Sequence, residues 1–131
     1  LYNDVLTAAP AATHESNSFW WHLRLAGFVA GSTSGTAAGQ QPANAANGIM
    51  GVQTGDGTTA FFGFASNMVC SSNLPDKIGI AVDTQMDDGT PGGGQVRGAK
   101  QNSPNQTTAA ATSVVNYEET GTNQYLLCKN L

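Results

Sequence analysis

A chain of 131 residues with 40% apolar and only 11% charged side chains has the length of one domain, residues 1–131, built around a single core, and a second independent domain is not expected. Five basic residues against nine acidic ones give a net charge of −4. Arg24, Lys77, Arg97, Lys100 and Lys129 are scattered, which excludes the clustered basic surface that nucleic-acid binding needs, and no apolar run of about 18 residues offers a membrane-crossing helix.

The first element expected is an amphipathic helix over residues 15–30, ESNSFWWHLRLAGFVA, with Phe19, Leu23 and Ala26 at helical spacing and Trp20 and Gly27 beside them. Ser16 or Ser18 can cap its start and Gly31 can end it. Adjacent helix positions lie about 100° apart, so Trp20 and Trp21 cannot fill one core site. One ring is expected in the core and the other near the surface or under a partner. Residues 32–47 lack periodicity and read as a surface loop. Residues 49–53 and 58–64 flank T-G-D-G and read as a β-hairpin, with 67–70 a third short strand.

A second helix is expected within residues 73–89, NLPDKIGIAVDTQMDDG. Pro75 suits its first position, Asp76 favours the positive N-terminal end, and Ile78, Val82 and Met86 recur every four residues on one face. Gly89 can end it in the left-handed conformation. A brief strand at 95–97, a loop at 99–112 and a closing hairpin, SVVNYEE and NQYLLCK around Gly121, complete an α+β pattern. It implies an antiparallel sheet with helices packed on one face and long surface loops.

Cys70 and Cys128 each close a short apolar run. A disulfide between them would enclose roughly 58 residues and contribute about 4 kcal/mol on the chain-entropy estimate. It would imply an oxidising compartment; the alternative is two buried free thiols. With no CxxC, and with His14 and His22 distant in sequence, metal ligation by the pair is not expected.

Asp83, Asp87 and Asp88 raise the question of a calcium loop, because calcium takes several carboxylate oxygens. Their D-x-x-x-D-D-G spacing is not that of an EF-hand, and the preferred reading is a solvated helix end with side chains bonded to turn backbone, calcium being the weaker alternative. The glycine run after it lacks the lysine-hydroxyl pair of a phosphate loop. Neither HExxH nor GxSxG occurs, so no catalytic residues are assigned, no enzyme is expected and no cofactor is committed. Asn105-Gln106-Thr107 fits the N-glycosylation triplet and is read as plain polar loop.

Taken together, SFWWHLRLAGFVAG, the strand ending in Cys70, SNLPDKIGIAVDTQMDDGTPGGGQVRG and the closing YLLCKNL resemble the globular region of type IV pilin-like and pseudopilin-like proteins, over residues 18–131 without the long loops. The resemblance implies a structural subunit of an extracellular, cell-surface or periplasmic filament, with a pilin-like head bridged by Cys70 and Cys128. Asp87, Asp88, Gly89, Pro91 and Gly94 would form the turn after the second helix. Trp20, Leu23 and Gly27 would belong to the first packed helix. The family's hydrophobic N-terminal helix is lacking before Leu1. The expectation is therefore that it belongs to a longer precursor or to a separate short chain, as in the two-chain pilins of metal-reducing bacteria. The expected partners are that helix and neighbouring subunits, with Trp20, Trp21, Phe28, Phe61, Phe62 and Phe64 as candidates for the interface. A type II secretion pseudopilin or minor tip pilin is the alternative on the same fold, and a calcium-dependent or carbohydrate-binding extracellular module the alternative of another class.

Overall fold

The computed structural model describes residues 15–58, 62–106 and 116–131. In chain order these form α1 (Glu15–Leu25), a 3-10 turn (Thr36–Gly39), β1 (Met50–Thr54), β2 (Asn67–Pro75), α2 (Asp76–Met86), β3 (Val96–Lys100) and β4 (Gln124–Asn130). The strands make one antiparallel sheet in the order β1-β2-β4-β3, so the last strand lies inside the sheet, between β2 and β3. The result is a small α+β domain with a four-stranded antiparallel sheet and two helices among the described residues.

The sheet buries side chains on both faces, because neighbouring strand positions point to opposite sides. On one face Met68 and Cys70 of β2, Ala99 of β3, and Leu126 and Cys128 of β4 pack with Phe62, Phe64 and the half-buried Ile49. On the other, Leu74, Val96 and Leu127 pack with Ala46, Val82 of α2 and Tyr117. Cys70 and Cys128 face each other across the central β2–β4 pair and are joined by a disulfide, both fully buried.

Helix α1 is shorter than expected and turns a different face inward. It stops at Leu25, and Gly27, at φ +78°, terminates it rather than Gly31. The N–H of Gly27 donates to Arg24 O at 3.0 Å and that of Phe28 to Leu23 O at 2.9 Å, which is the paired bonding of a Schellman cap. Trp20 and Arg24 are buried, Leu23 is half-buried, and Phe19 and Ala26 are exposed. Arg24 is tolerated inside because its Nε donates to Ala30 O at 3.2 Å and its guanidinium to Ala38 O at 2.7 Å, tying down the loop that follows.

The expected hairpin between residues 49–53 and 58–64 is not formed: β1 pairs with β2, from Met50 opposite Ser71 to Thr54 opposite Asn67. Beyond the strands the arms continue through Gly55 N–H to Ser66 O and Gly57 N–H to Phe64 O, so T-G-D-G lies in an arm and the chain reverses later. Gly55 is needed there, since a Cβ on it would fall 2.1 Å from Phe64 O. The closing hairpin is corrected as well. Residues 113–115 lie outside the described ones, residues 117–119 are not in a strand, and β4 pairs with β2 and β3 instead.

Helix α2 forms within the expected segment and lies on the sheet by a mostly polar face. Ile78 and Met86 are half exposed, and the inward face is Asp76, Gly79 and Asp83. Gly79 lets the helix lie close to the sheet, where a Cβ would just touch Leu127 Cδ1 at 3.5 Å and Tyr125 Cβ at 3.6 Å. Asp76 is buried because its Oδ2 accepts the N–H groups of Thr120 at 2.7 Å and Gly121 at 2.6 Å and its Oδ1 that of Lys77 at 2.8 Å. Pro75 stands just before the helix rather than in its first position.

Candidate functional site

The segment DDGTPGGG, which the sequence singles out, is a self-tied connection from α2 to β3. Asp87 Oδ2 accepts the N–H of Gln95 and, at 2.9 Å, that of Val96, binding the end of the helix to the start of the strand. Asp88 Oδ1 accepts from Thr90 N–H at 2.7 Å, an Asx-type turn. Gly89, at φ +73°, and Gly94, at φ +63°, hold left-handed backbone. A Cβ on Gly94 would also lie 1.9 Å from Asp87 Oδ2. Pro91 is buried and its carbonyl accepts from Gly98 N–H at 2.9 Å, which pins the loop to β3.

The same turn gathers three acids. One carboxylate oxygen from each of Asp83, Asp87 and Asp88 lies within 4.8 Å of the others. Asp83 is not at a solvated helix end, as its sequence position suggested; it is fully buried. Its Oδ2 accepts from the hydroxyl of Tyr117 at 2.5 Å, while its Oδ1 has no hydrogen-bond partner. Burial pushes the Asp83 carboxyl above its ordinary value; the Tyr117 hydroxyl and the Gly89 N–H oppose this, and the charges of Asp88 and Asp87 add to it. Burial, and then the bond to Asp83, pushes the Tyr117 hydroxyl well above the ordinary tyrosine range. Tyr117 carried no signal in the sequence, because it lies 34 positions from Asp83 and in no recognisable motif.

The aromatic candidates separate. Trp20, Phe62 and Phe64 are buried by the domain's own packing, so they are core rather than open interface, which corrects the expectation for them. Arg97 helps bury the pair: its guanidinium lies 4.6 Å from the Phe64 ring centre and donates to Phe62 O at 2.5 Å. Trp21 is half-buried, with its Nε1 donating to Thr33 O at 3.0 Å. Phe61 lies outside the described residues. Phe28 is 82% exposed, and Phe19 and Leu25, not singled out for the interface, are exposed with it.

His22 is exposed and stacks on Trp21 with ring centres 5.4 Å apart; His14 lies outside the described residues. Asn105 is not a plain loop residue: its N–H donates to Asn73 Oδ1 at 2.8 Å and its Oδ1 accepts from Ser72 Oγ at 2.7 Å. Thr107 of the glycosylation triplet lies outside the described residues. No family model, curated protein or solved structure matches the chain.

Proposed function

We propose that the chain is the globular head of a type IV pilin-like subunit, a non-enzymatic structural part of an extracellular or periplasmic filament. Its partners in this reading are a hydrophobic pilin helix, from the same precursor or a separate short chain, and neighbouring heads. The observation that carries the reading is Phe28. In a Schellman cap the residue after the left-handed glycine commonly packs back against the last turn of its own helix. Here it stands 82% exposed, as Leu25 at the end of the same helix is exposed, and the family resemblance makes Phe28 a candidate for contact with a pilin helix. Large apolar side chains held open in this way suit contact with another chain. The DDGTPGGG turn, which ties the end of α2 to β3, and the buried Cys70–Cys128 bond, which joins β2 to β4, suit a domain under mechanical load.

The test uses producing cells. Filaments sheared from the surface are examined by electron microscopy with antibody raised against this chain, and the expected result is label along the whole filament. Label at the tip alone favours the minor-pilin alternative, and recovery of the chain only outside filaments overturns the reading. A Phe28→Ser variant is expected to keep the wild-type melting temperature within about 2 °C, as an exposed substitution should, and to be missing from the filaments.

A further inference from the structure

We propose that Asp83, Asp87 and Asp88 form a calcium-binding site at the C-terminal end of α2. Three independent features converge there.

The first is spacing. Calcium–oxygen distances are about 2.3–2.6 Å, so any two oxygens bound to one ion lie at most roughly 5 Å apart. The three carboxylates meet that limit, with one oxygen from each within 4.8 Å of the others. The turn bonds use Oδ2 of Asp87 and Oδ1 of Asp88, so each of these carboxylates also has a second oxygen outside those bonds.

The second is the unmet oxygen of Asp83. This side chain is fully buried, Tyr117 satisfies Oδ2, and Oδ1 has no hydrogen-bond partner. A buried carboxylate oxygen without a partner is costly, and in native structures such an atom calls for an ion, a water or a proton.

The third is the field. The C-terminal end of a helix carries the negative end of its dipole, which favours cations and disfavours acids. Helix α2 has no basic residue in its last turn, yet the three acids crowd that end. The ion pairs among the described residues are Lys77–Glu119 and Lys100–Glu118, and neither reaches the cluster. Arg97 is engaged by the carbonyls of Phe62 and Gly94.

The donor set selects the ion. All ligands are oxygens, without histidine or thiol, which suits a hard cation rather than zinc. An irregular group of three carboxylates completed by water suits calcium, whereas magnesium demands a near-ideal octahedron and gives up water reluctantly. Binding would tie α2, the turn and, through Asp87, the first residues of β3 into one unit. This assignment does not depend on the filament reading.

The test is made on the purified chain after chelator treatment and dialysis, using calcium chloride and, separately, magnesium chloride as the probes. Calorimetric titration is expected to show one saturable site of roughly 0.1–1 mM, the range of extracellular modules, with a melting temperature that rises as calcium is added. Asp83→Asn, which keeps an acceptor for Tyr117, is expected to weaken calcium binding at least tenfold while its ion-free melting temperature holds or rises. Asp88→Asn, exposed and keeping its acceptor for Thr90, is expected to weaken binding several-fold, and it decides the matter should the Asp83 variant fail to fold. Absence of any saturable response in the wild type up to about 10 mM overturns the site, and would mean that Asp83 is held protonated. Unchanged affinity in Asp88→Asn overturns it too, and an equal response to magnesium overturns calcium as its occupant.

Discussion

Asp76 and Gly94 show how much of the domain hangs on single positions. Burial works against ionisation of Asp76, yet the N–H groups of Gly121, Lys77 and Thr120, with the Lys77 charge, together hold its carboxyl below the ordinary value. A carboxyl lowered in the folded state binds its proton more readily in the unfolded chain. Its contribution to stability is therefore in place above the ordinary aspartate value and is lost as pH falls through the lower folded one. Asp76→Asn is expected to lower stability at neutral pH and to flatten the loss as pH falls below about 4, as read by urea unfolding at a series of pH values. An acid limb unchanged in that variant would contradict the assignment. Gly94→Ala meets two obstacles, a left-handed backbone and the contact with Asp87 Oδ2, and is expected to cost about 1–3 kcal/mol. Chemical denaturation measures that loss, and an unchanged midpoint would show that the turn is looser than described.

At the scale of elements, α2 gives the clearest lesson. Its apolar period, Ile78, Val82 and Met86, marks a helix, but only Val82 of the three packs against the core, because the sheet is approached through Gly79 and the buried acids on either side. Ile78→Ser is expected to change stability by less than about 0.5 kcal/mol, as for an exposed site, where a core isoleucine would cost several times more. Gly79→Leu, in contrast, must push the helix off Tyr125 and Leu127 and is expected to cost at least about 1–3 kcal/mol. Thermal or urea melts of the two variants check both, and the reverse ranking would put the hydrophobic stripe back in the core. The β1–β2 pairing teaches a related point. Asn67–Pro75 was legible as a strand only in its first half, since Ser72 and Asn73 look like a turn. They are buried at a bulge in β2, where Ser72 Oγ accepts from Ile49 N–H and Asn73 Nδ2 donates to Asn47 O. Polar strand residues satisfied from distant loops leave no period to read.

For the whole molecule, the central β2–β4 pair governs stability. It joins the middle of the chain to its end, and the disulfide lies between its facing cysteines. Reduction, or Cys70→Ser with Cys128→Ser, is expected to remove about 2–4 kcal/mol, seen as a lower unfolding midpoint with the sheet's circular dichroism kept below it. An equal midpoint for oxidised and reduced protein would show that the sheet alone holds the ends together. The exposed ion pairs, Lys77 with Glu119 and Lys100 with Glu118, add little to this balance.

By itself the sequence determined that the fold is α+β, that two helices and the strands bearing Cys70 and Cys128 exist, and that the acidic turn after α2 is a defined feature. Those signals are local: apolar runs, helix-ending residues and glycines needing positive φ act over a few positions. Only the tertiary structure decided which strands pair, which face of α2 goes inward, that Trp20, Phe62 and Phe64 are core, and that Asp83 is buried against Tyr117. Each of those depends on contacts between residues far apart in the chain. There the winner is set by how closely backbones can approach and by which distant N–H or hydroxyl satisfies a buried polar group, and neither is written in a short window of residues.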